Sequence, residues 1–149
     1  DNAKPKLRER VQLLADAAKR KKVMILMETG QENAETLREF LEELSHPALG
    51  VNFDPANMIL YGKGDPILAL ETLAPWVKHV HIKDAQRSSV PGKWGREVPW
   101  VEGDFDNDEF LRTLNRISYQ GALAIEREAG AKRLEDIKKT AELLQQYSV

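Results

Sequence analysis

Glu28, Asp54, His81 and Glu126 each stand at or just before the end of a short apolar run: VMILMET, LGVNFD, VKHVHIKD and ALAIERE. Together they offer three hard oxygen donors and one imidazole nitrogen. That set suits a single Mn²⁺, Mg²⁺ or Co²⁺ ion and also admits Zn²⁺. An ion held with an open coordination position acts as a Lewis acid on a substrate oxygen. The four side chains can share one ion only if the runs that carry them lie side by side and end at the same rim. The elements that must position them therefore come next.

Each run is short and rich in β-branched residues, as a buried strand is. Helical patterns lie between the runs. Residues near 5 to 21 place Leu7, Val11, Leu14 and Ala18 at helical spacing, with Lys and Arg crowded into the last turn, where the helix dipole favours cations. AETLREFLEEL sets Leu37, Phe40, Leu41 and Leu44 on one face and is closed by the His46-Pro47 pair. PANMILYGKGDP reads as a loop holding two Gly. Asp65-Pro66 reads as an N-cap followed by Pro at the first helical position, opening the helix ILALETLAPWV. AQRSSVPGKWGREVPWVEGD reads as one long loop from its Gly, Pro and Ser content, and a loop of that length in a compact domain is usually functional.

NDEFLRTLNRI is a capped helix carrying Phe110, Leu111, Leu114 and Ile117; a YQG turn leads to the strand ALAIE, and a last helix carries Leu134, Ile137, Ala141 and Leu144. The order α(βα)₄ predicts an α/β fold with a parallel sheet and right-handed crossovers, in a single domain over residues 1–149. The four ligand positions recur after 26, 27 and 45 residues, counting 28 to 54 to 81 to 126, and the last interval is stretched by the long loop. In an α/β barrel the C-terminal strand ends form the rim where chemistry takes place.

The composition fits a soluble globular domain: 149 residues, 42% hydrophobic and 31% charged, are enough to bury a core. A formal net charge of -2 creates no field that would draw nucleic acid or an anionic membrane. No apolar stretch approaches the ~20 residues needed to span a bilayer, and the start does not resemble a secretory signal. The absence of Cys removes disulfides and thiolate ligands and fits a reducing cytosol, so a cytoplasmic location is expected. The chain starts at Asp1 with no initiator Met, which raises the expectation of a fragment.

MILMETG, GVNFDPANMILYGKGDP, VKHVHIKDAQR, VPWVEGDFDNDEFLRTL and YQGALAIERE, in that order, resemble the C-terminal half of a xylose-isomerase-like (β/α)₈ TIM barrel. This is the superfamily of sugar-phosphate isomerases and epimerases that also includes the abasic-site endonuclease four. The resemblance implies a parallel (β/α) half-barrel with four strands. It also implies roles, because ketohexose epimerases of the superfamily ligate their metal through a Glu, an Asp, a His and a Glu on strands five to eight. Those positions fall on Glu28, Asp54, His81 and Glu126. An Arg six residues after the His holds substrate hydroxyls in these relatives, and that position is Arg87. Where they carry a substrate-contacting His, this chain has Asn57, whose amide can hydrogen-bond a sugar hydroxyl but cannot exchange a proton near neutral pH. Lys83 joins Arg87 either as an anion and hydroxyl clamp or as part of a solvated rim. The implied activity is isomerisation or epimerisation of a sugar or sugar phosphate. The ion polarises a carbonyl, while Glu28 and Glu126, on opposite sides of a cis-enediolate, take and return a proton.

Each of these residues also has a plainer use. Glu28 and Glu126 can pair with Lys or Arg at strand ends, and Asp54 can cap the turn at Pro55. His79 shares a face with His81 by the strand period and serves as packing or support. Asp84 is structural; Glu128 either braces the site or forms a surface salt bridge; Trp94 and Trp100 either wall a sugar pocket or pin the long loop.

Length is the remaining constraint. A closed eight-stranded barrel takes about 250 residues, and four strands leave two bare sheet edges and an uncovered inner face. The expected completions are a missing N-terminal half-barrel, strand exchange between subunits, or a second copy in a twofold homodimer. A non-catalytic half-barrel fragment or assembly module that retains the metal site is the alternative function. Phosphodiester cleavage of the endonuclease-four type is disfavoured by the acidic balance and by only two strand histidines, since a multi-metal cluster needs more imidazoles.

Overall fold

A computed structural model describes residues 3–147. In chain order the elements are α1 (Ala3–Lys21), β1 (Ile25–Glu28), α2 (Ala34–Leu44), β2 (Leu49–Phe53), α3 (Pro55–Leu60), α4 (Pro66–Leu73), a 3₁₀ turn (Ala74–Trp76), β3 (Val77–Ile82), β4 (Asp84–Gln86), β5 (Arg96–Val98), α5 (Asn107–Arg116), β6 (Leu123–Ile125) and α6 (Arg133–Leu144). The four expected strands pair in the order β1-β2-β3-β6, all parallel, with Met27 opposite Val51, Phe53 opposite Val80 and Ile82 opposite Ile125. This is the parallel sheet that the α(βα)₄ order predicts, with the four strands of the half-barrel that the resemblance implies.

The strand period divides the sheet into two unlike faces. Val51, Phe53, Val80 and Ile82 are buried among Leu37, Leu41, Leu70, Leu73, Phe110 and Leu114 of the covering helices. Burial of each such side chain contributes about 1.5–3 kcal/mol. The intervening positions carry Asn52, His79 and His81, and these are only half buried. The apolar face thus fixes the register, and the register delivers the polar residues together on the opposite face.

Local signals place the helix starts. The Asn33, Asp65 and Asp106 side chains accept hydrogen bonds from first-turn N–H groups of α2, α4 and α5, and Pro66 begins α4 as expected. α2 ends at Ser45, which takes the left-handed conformation just before the His46-Pro47 pair.

The structure departs from expectation in four places. Pro55–Leu60 is a helix rather than loop, because Asp54 caps it and Ala56, Met58 and Ile59 find burial; six residues are too few to show a periodic signal. The long polar stretch is not structureless: β4 and β5 pair antiparallel within it, through strands of three residues each. α1 turns Val11, Ala15 and Ala18 inward, leaving Leu7 and Leu14 at 54% and 59% exposure, because the small Ala15 permits close approach where Leu14 would not. On α6 it is Thr140 that is buried, while Leu134 is exposed. β1 and β6 each have a sheet neighbour on one side only among the described residues.

Candidate metal centre

Parallel pairing brings four strand ends to one rim. Glu28 ends β1, Asp54 follows β2, His81 lies near the end of β3, and Glu126 follows β6, where its N–H donates to Ile82 O across the sheet at 3.1 Å. One ligand atom from each of the four lies within 4.8 Å of the others. His81 Nδ1 is 3.5 Å from Glu28 Oε1, 3.5 Å from Asp54 Oδ2 and 3.3 Å from Glu126 Oε2. Four donors about 2.1 Å from a tetrahedral ion stand about 3.4 Å apart, so these separations match a shared cation.

The chemistry of the pocket agrees with that geometry. Asp54 is fully buried, and its Oδ1 accepts the Asn57 N–H at 3.0 Å, capping α3. Its Oδ2 has no hydrogen-bond partner, and neither does the buried Nδ1 of His81 facing it. At 3.5 Å the two are too far apart to satisfy each other. Buried polar atoms left unmatched are costly, and a cation between them answers both. Asp54 therefore accommodates both uses left open by the sequence, one oxygen for the cap and one facing the centre.

Crowding of carboxylates disfavours their simultaneous ionisation. Burial, then the negative charges of Asp54 and Glu126, push the Glu28 carboxyl above its ordinary range. The Asp54 carboxylate 3.5 Å away, with Glu126 and Glu28 nearby, raises the proton affinity of His81 against the effect of burial. A divalent cation relieves this repulsion.

Lys83 stands inside the centre, not on a solvated rim. It is buried, donates to Glu126 Oε2 at 2.8 Å and to Glu128 Oε2 at 2.6 Å, and lies 3.5 Å from Asp54 Oδ2. Burial works against its charge, yet these carboxylates hold the ammonium well above its usual range. Glu128, itself largely exposed, thus braces the site through Lys83.

Asn57 is turned toward the centre as well, donating one amide N–H to Glu28 Oε1 at 3.1 Å. Arg87 is exposed. It lines a groove of about 490 Å³ with Tyr61, Lys63 and Trp94, while its N–H donates to Asp104 Oδ2. Trp94, 74% exposed, sets its ring edge-on to Tyr61 as one wall of that groove. Trp100 takes the other use, buried against Phe105 and Phe110 to pin the loop. Asp84 is structural: it accepts the N–H groups of Ala85, Val101 and Gly103 and the Asn107 side-chain amide. Burial pushes its carboxyl up to about 6 despite those four donors.

Three features escaped sequence reasoning. The Thr29 hydroxyl accepts Asp54 N–H at 2.8 Å and donates to Asp54 O at 3.0 Å, tying the ends of β1 and β2 together. Glu97 on β5 accepts from Arg127 Nη1 and from the N–H groups of Glu128 and Ala129, fastening the β4–β5 hairpin to the end of β6. Asn52 bridges His79 and His81. Its position two residues before Asp54, on the same strand face, was a legible signal.

The sequence profile described as xylose isomerase-like TIM barrel matches residues 1–147. A xylose isomerase domain protein from Planctomyces limnophilus superimposes with a TM-score of 0.88 at 41% identity, over 95% of this chain and 51% of that one. A xylose isomerase-like TIM barrel protein from Mycobacterium smegmatis, solved in complex with magnesium, gives 0.76 at 23% identity over 98% and 51%. A D-allulose 3-epimerase from Methylomonas sp., in complex with D-allulose, gives 0.70 at 19% over 93% and 53%. The chain spans about half the length of these structures. No curated protein matches it.

Proposed function

This chain belongs to the xylose isomerase-like TIM barrel family, and from that premise we propose that it is the metal-holding half of a divalent-metal-dependent sugar or sugar-phosphate isomerase or epimerase. The observation that carries the proposal is the pair of buried atoms without a hydrogen-bond partner, Asp54 Oδ2 and His81 Nδ1, facing each other among ligand atoms within 4.8 Å. Magnesium in one structural relative and D-allulose in another agree with it.

Glu28, Asp54, His81 and Glu126 would hold the ion, which when bound polarises a substrate carbonyl and lowers the cost of enolate charge. Glu28, at the end of β1 and held by the Asn57 amide, is suited to take a proton from the carbon beside that carbonyl. Glu126 is suited to return it from the other side. Return to the same carbon gives epimerisation, and return to the neighbouring carbon gives isomerisation. Lys83 holds Glu126 in place from behind. Asn57 orients Glu28 and keeps its second amide N–H for a substrate hydroxyl, and Arg87 with Trp94 offers a polar and aromatic wall for the sugar.

Activity requires that the polar sheet face be covered. Four further strands, from an N-terminal half or from a second copy in a twofold dimer, would close the barrel and pair both bare edges. A stable monomer in sedimentation at micromolar concentration would remove the dimer. The function is tested by metal analysis of the parent and Glu126→Gln, with exchange of the α-proton of a ketose panel followed by NMR in D₂O. The expected result is metal in the parent, a loss of about 10-fold or more in affinity in the variant, and exchange with at least one ketose. Equal metal content in both takes Glu126 out of the ligand set; bound metal without any exchange favours a non-catalytic assembly module.

A further inference from the structure

Resting on that metal reading, we propose that Asn52 is a positioning residue: with His79 behind it, its carboxamide sets which nitrogen of His81 bears hydrogen, and the three side chains rearrange together when a cation binds. Asn52 Nδ2 lies 3.2 Å from His81 Nε2, and Asn52 Oδ1 lies 2.8 Å from His79 Nδ1. The two rings stand edge to face with centroids 5.4 Å apart.

A neutral imidazole has one donor and one acceptor nitrogen, and a carboxamide has one donor end and one acceptor end. Two self-consistent arrangements follow. In the first, the Asn52 N–H donates to His81 Nε2, so the ring hydrogen of His81 sits on Nδ1, facing Glu28, Asp54 and Glu126. His79 then donates its Nδ1–H to Asn52 Oδ1. In the second, the carboxamide is turned over. His81 donates Nε2–H to Oδ1, its Nδ1 lone pair faces the carboxylates, and the Asn52 N–H donates to His79 Nδ1, whose hydrogen moves to Nε2. Only the second leaves His81 Nδ1 free to ligate. With both rings neutral, each keeps one hydrogen, exchanged through water, so no net proton is gained or lost. Any mixture sets two donors or two lone pairs against each other at about hydrogen-bond distance. The far ring nitrogen of His79 therefore reports on a cation that it does not touch.

Nitrogen-resolved NMR of the imidazoles of the full chain at about pH 8.5, above the ordinary imidazole range, tests this with EDTA and then with stoichiometric Zn²⁺. In the parent, Zn²⁺ is expected to shift His81 Nδ1 and to move the His79 hydrogen from Nδ1 to Nε2. Asn52→Leu is expected to silence His79 and weaken Zn²⁺ binding about 10- to 100-fold. Asn52→Asp, which only accepts, should hold His81 in the second arrangement without metal and keep or tighten binding. A Zn²⁺ response at His81 with none at His79 overturns the coupling and leaves the metal reading standing. No response at either ring overturns both. Zn²⁺ affinity in Asn52→Leu within twofold of the parent removes the positioning role, and if that variant does not fold, the parent spectra decide.

Discussion

Replacing Lys83 with Met removes the one ammonium buried among the carboxylates of the centre while keeping a side chain of similar length. At an effective dielectric of about 20, a unit charge 3.5 Å from Asp54 Oδ2 interacts by about 5 kcal/mol, and one 2.8 Å from Glu126 Oε2 by about 6 kcal/mol before solvent screening. Glu128 is largely exposed and adds little. The desolvation cost of Lys83 disappears with it and offsets much of this sum. Breaking a buried pair by removing one partner costs about 3–5 kcal/mol, and the partial exposure of Glu126 places the net loss near the lower end, about 3 kcal/mol. The same change removes a positive charge next to a cation site, so affinity for Mn²⁺ should rise tenfold or more, about 1.4 kcal/mol. Lys83→Met is thus expected to be markedly less stable than the parent in EDTA and, with a tenfold gain in affinity, to recover about half of the difference with saturating Mn²⁺, by linkage. Urea denaturation under both conditions and titration calorimetry with Mn²⁺ read the two effects separately. Equal stability of parent and variant in EDTA, or weaker Mn²⁺ binding by the variant, would refute the reasoning.

Two further outcomes follow from the surroundings of the centre. Asp84, with its folded pKa raised from the ordinary 3.8 to about 6, contributes stability that is complete below about pH 3.8 and lost as pH rises through about 6. Relative to Asp84→Asn, the parent should therefore lose about 3 kcal/mol between those limits; parallel pH profiles in urea melts would show that the buried carboxyl titrates normally. Gly30 has φ +125, and a Cβ there would lie 2.5 Å from Asn57 Cβ. Gly30→Ala should cost about 2–4 kcal/mol from strain and overpacking, and weaken metal binding by displacing the amide that holds Glu28; an unchanged melt with unchanged Mn²⁺ affinity would show that the turn yields freely.

Much of this molecule was legible from local signals. The apolar runs announced four parallel strands, and the caps at Asp65-Pro66 and the His46-Pro47 stop bounded the helices, because periodicity and end-group hydrogen bonding act over a few residues. The strand period also placed His79 and His81 on one face, and the position of each ligand toward the end of its run made a shared rim readable. What the sequence could not determine were contacts between distant segments. The β4–β5 pairing consists of three residues on each side and has no periodic trace, and its attachment to β6 depends on Glu97 meeting Arg127 30 residues away. The inward face of α1 went to Ala15 and not Leu14, because close approach to β1, not hydrophobicity alone, chooses the face. Only the tertiary structure decided that Lys83 turns into the carboxylates, that Asp54 divides its two oxygens between cap and centre, and that Asn52 joins two histidine rings. Each depends on side chains from different strands approaching within a hydrogen bond's length, a distance fixed by sheet register and packing and encoded in no single stretch of the chain.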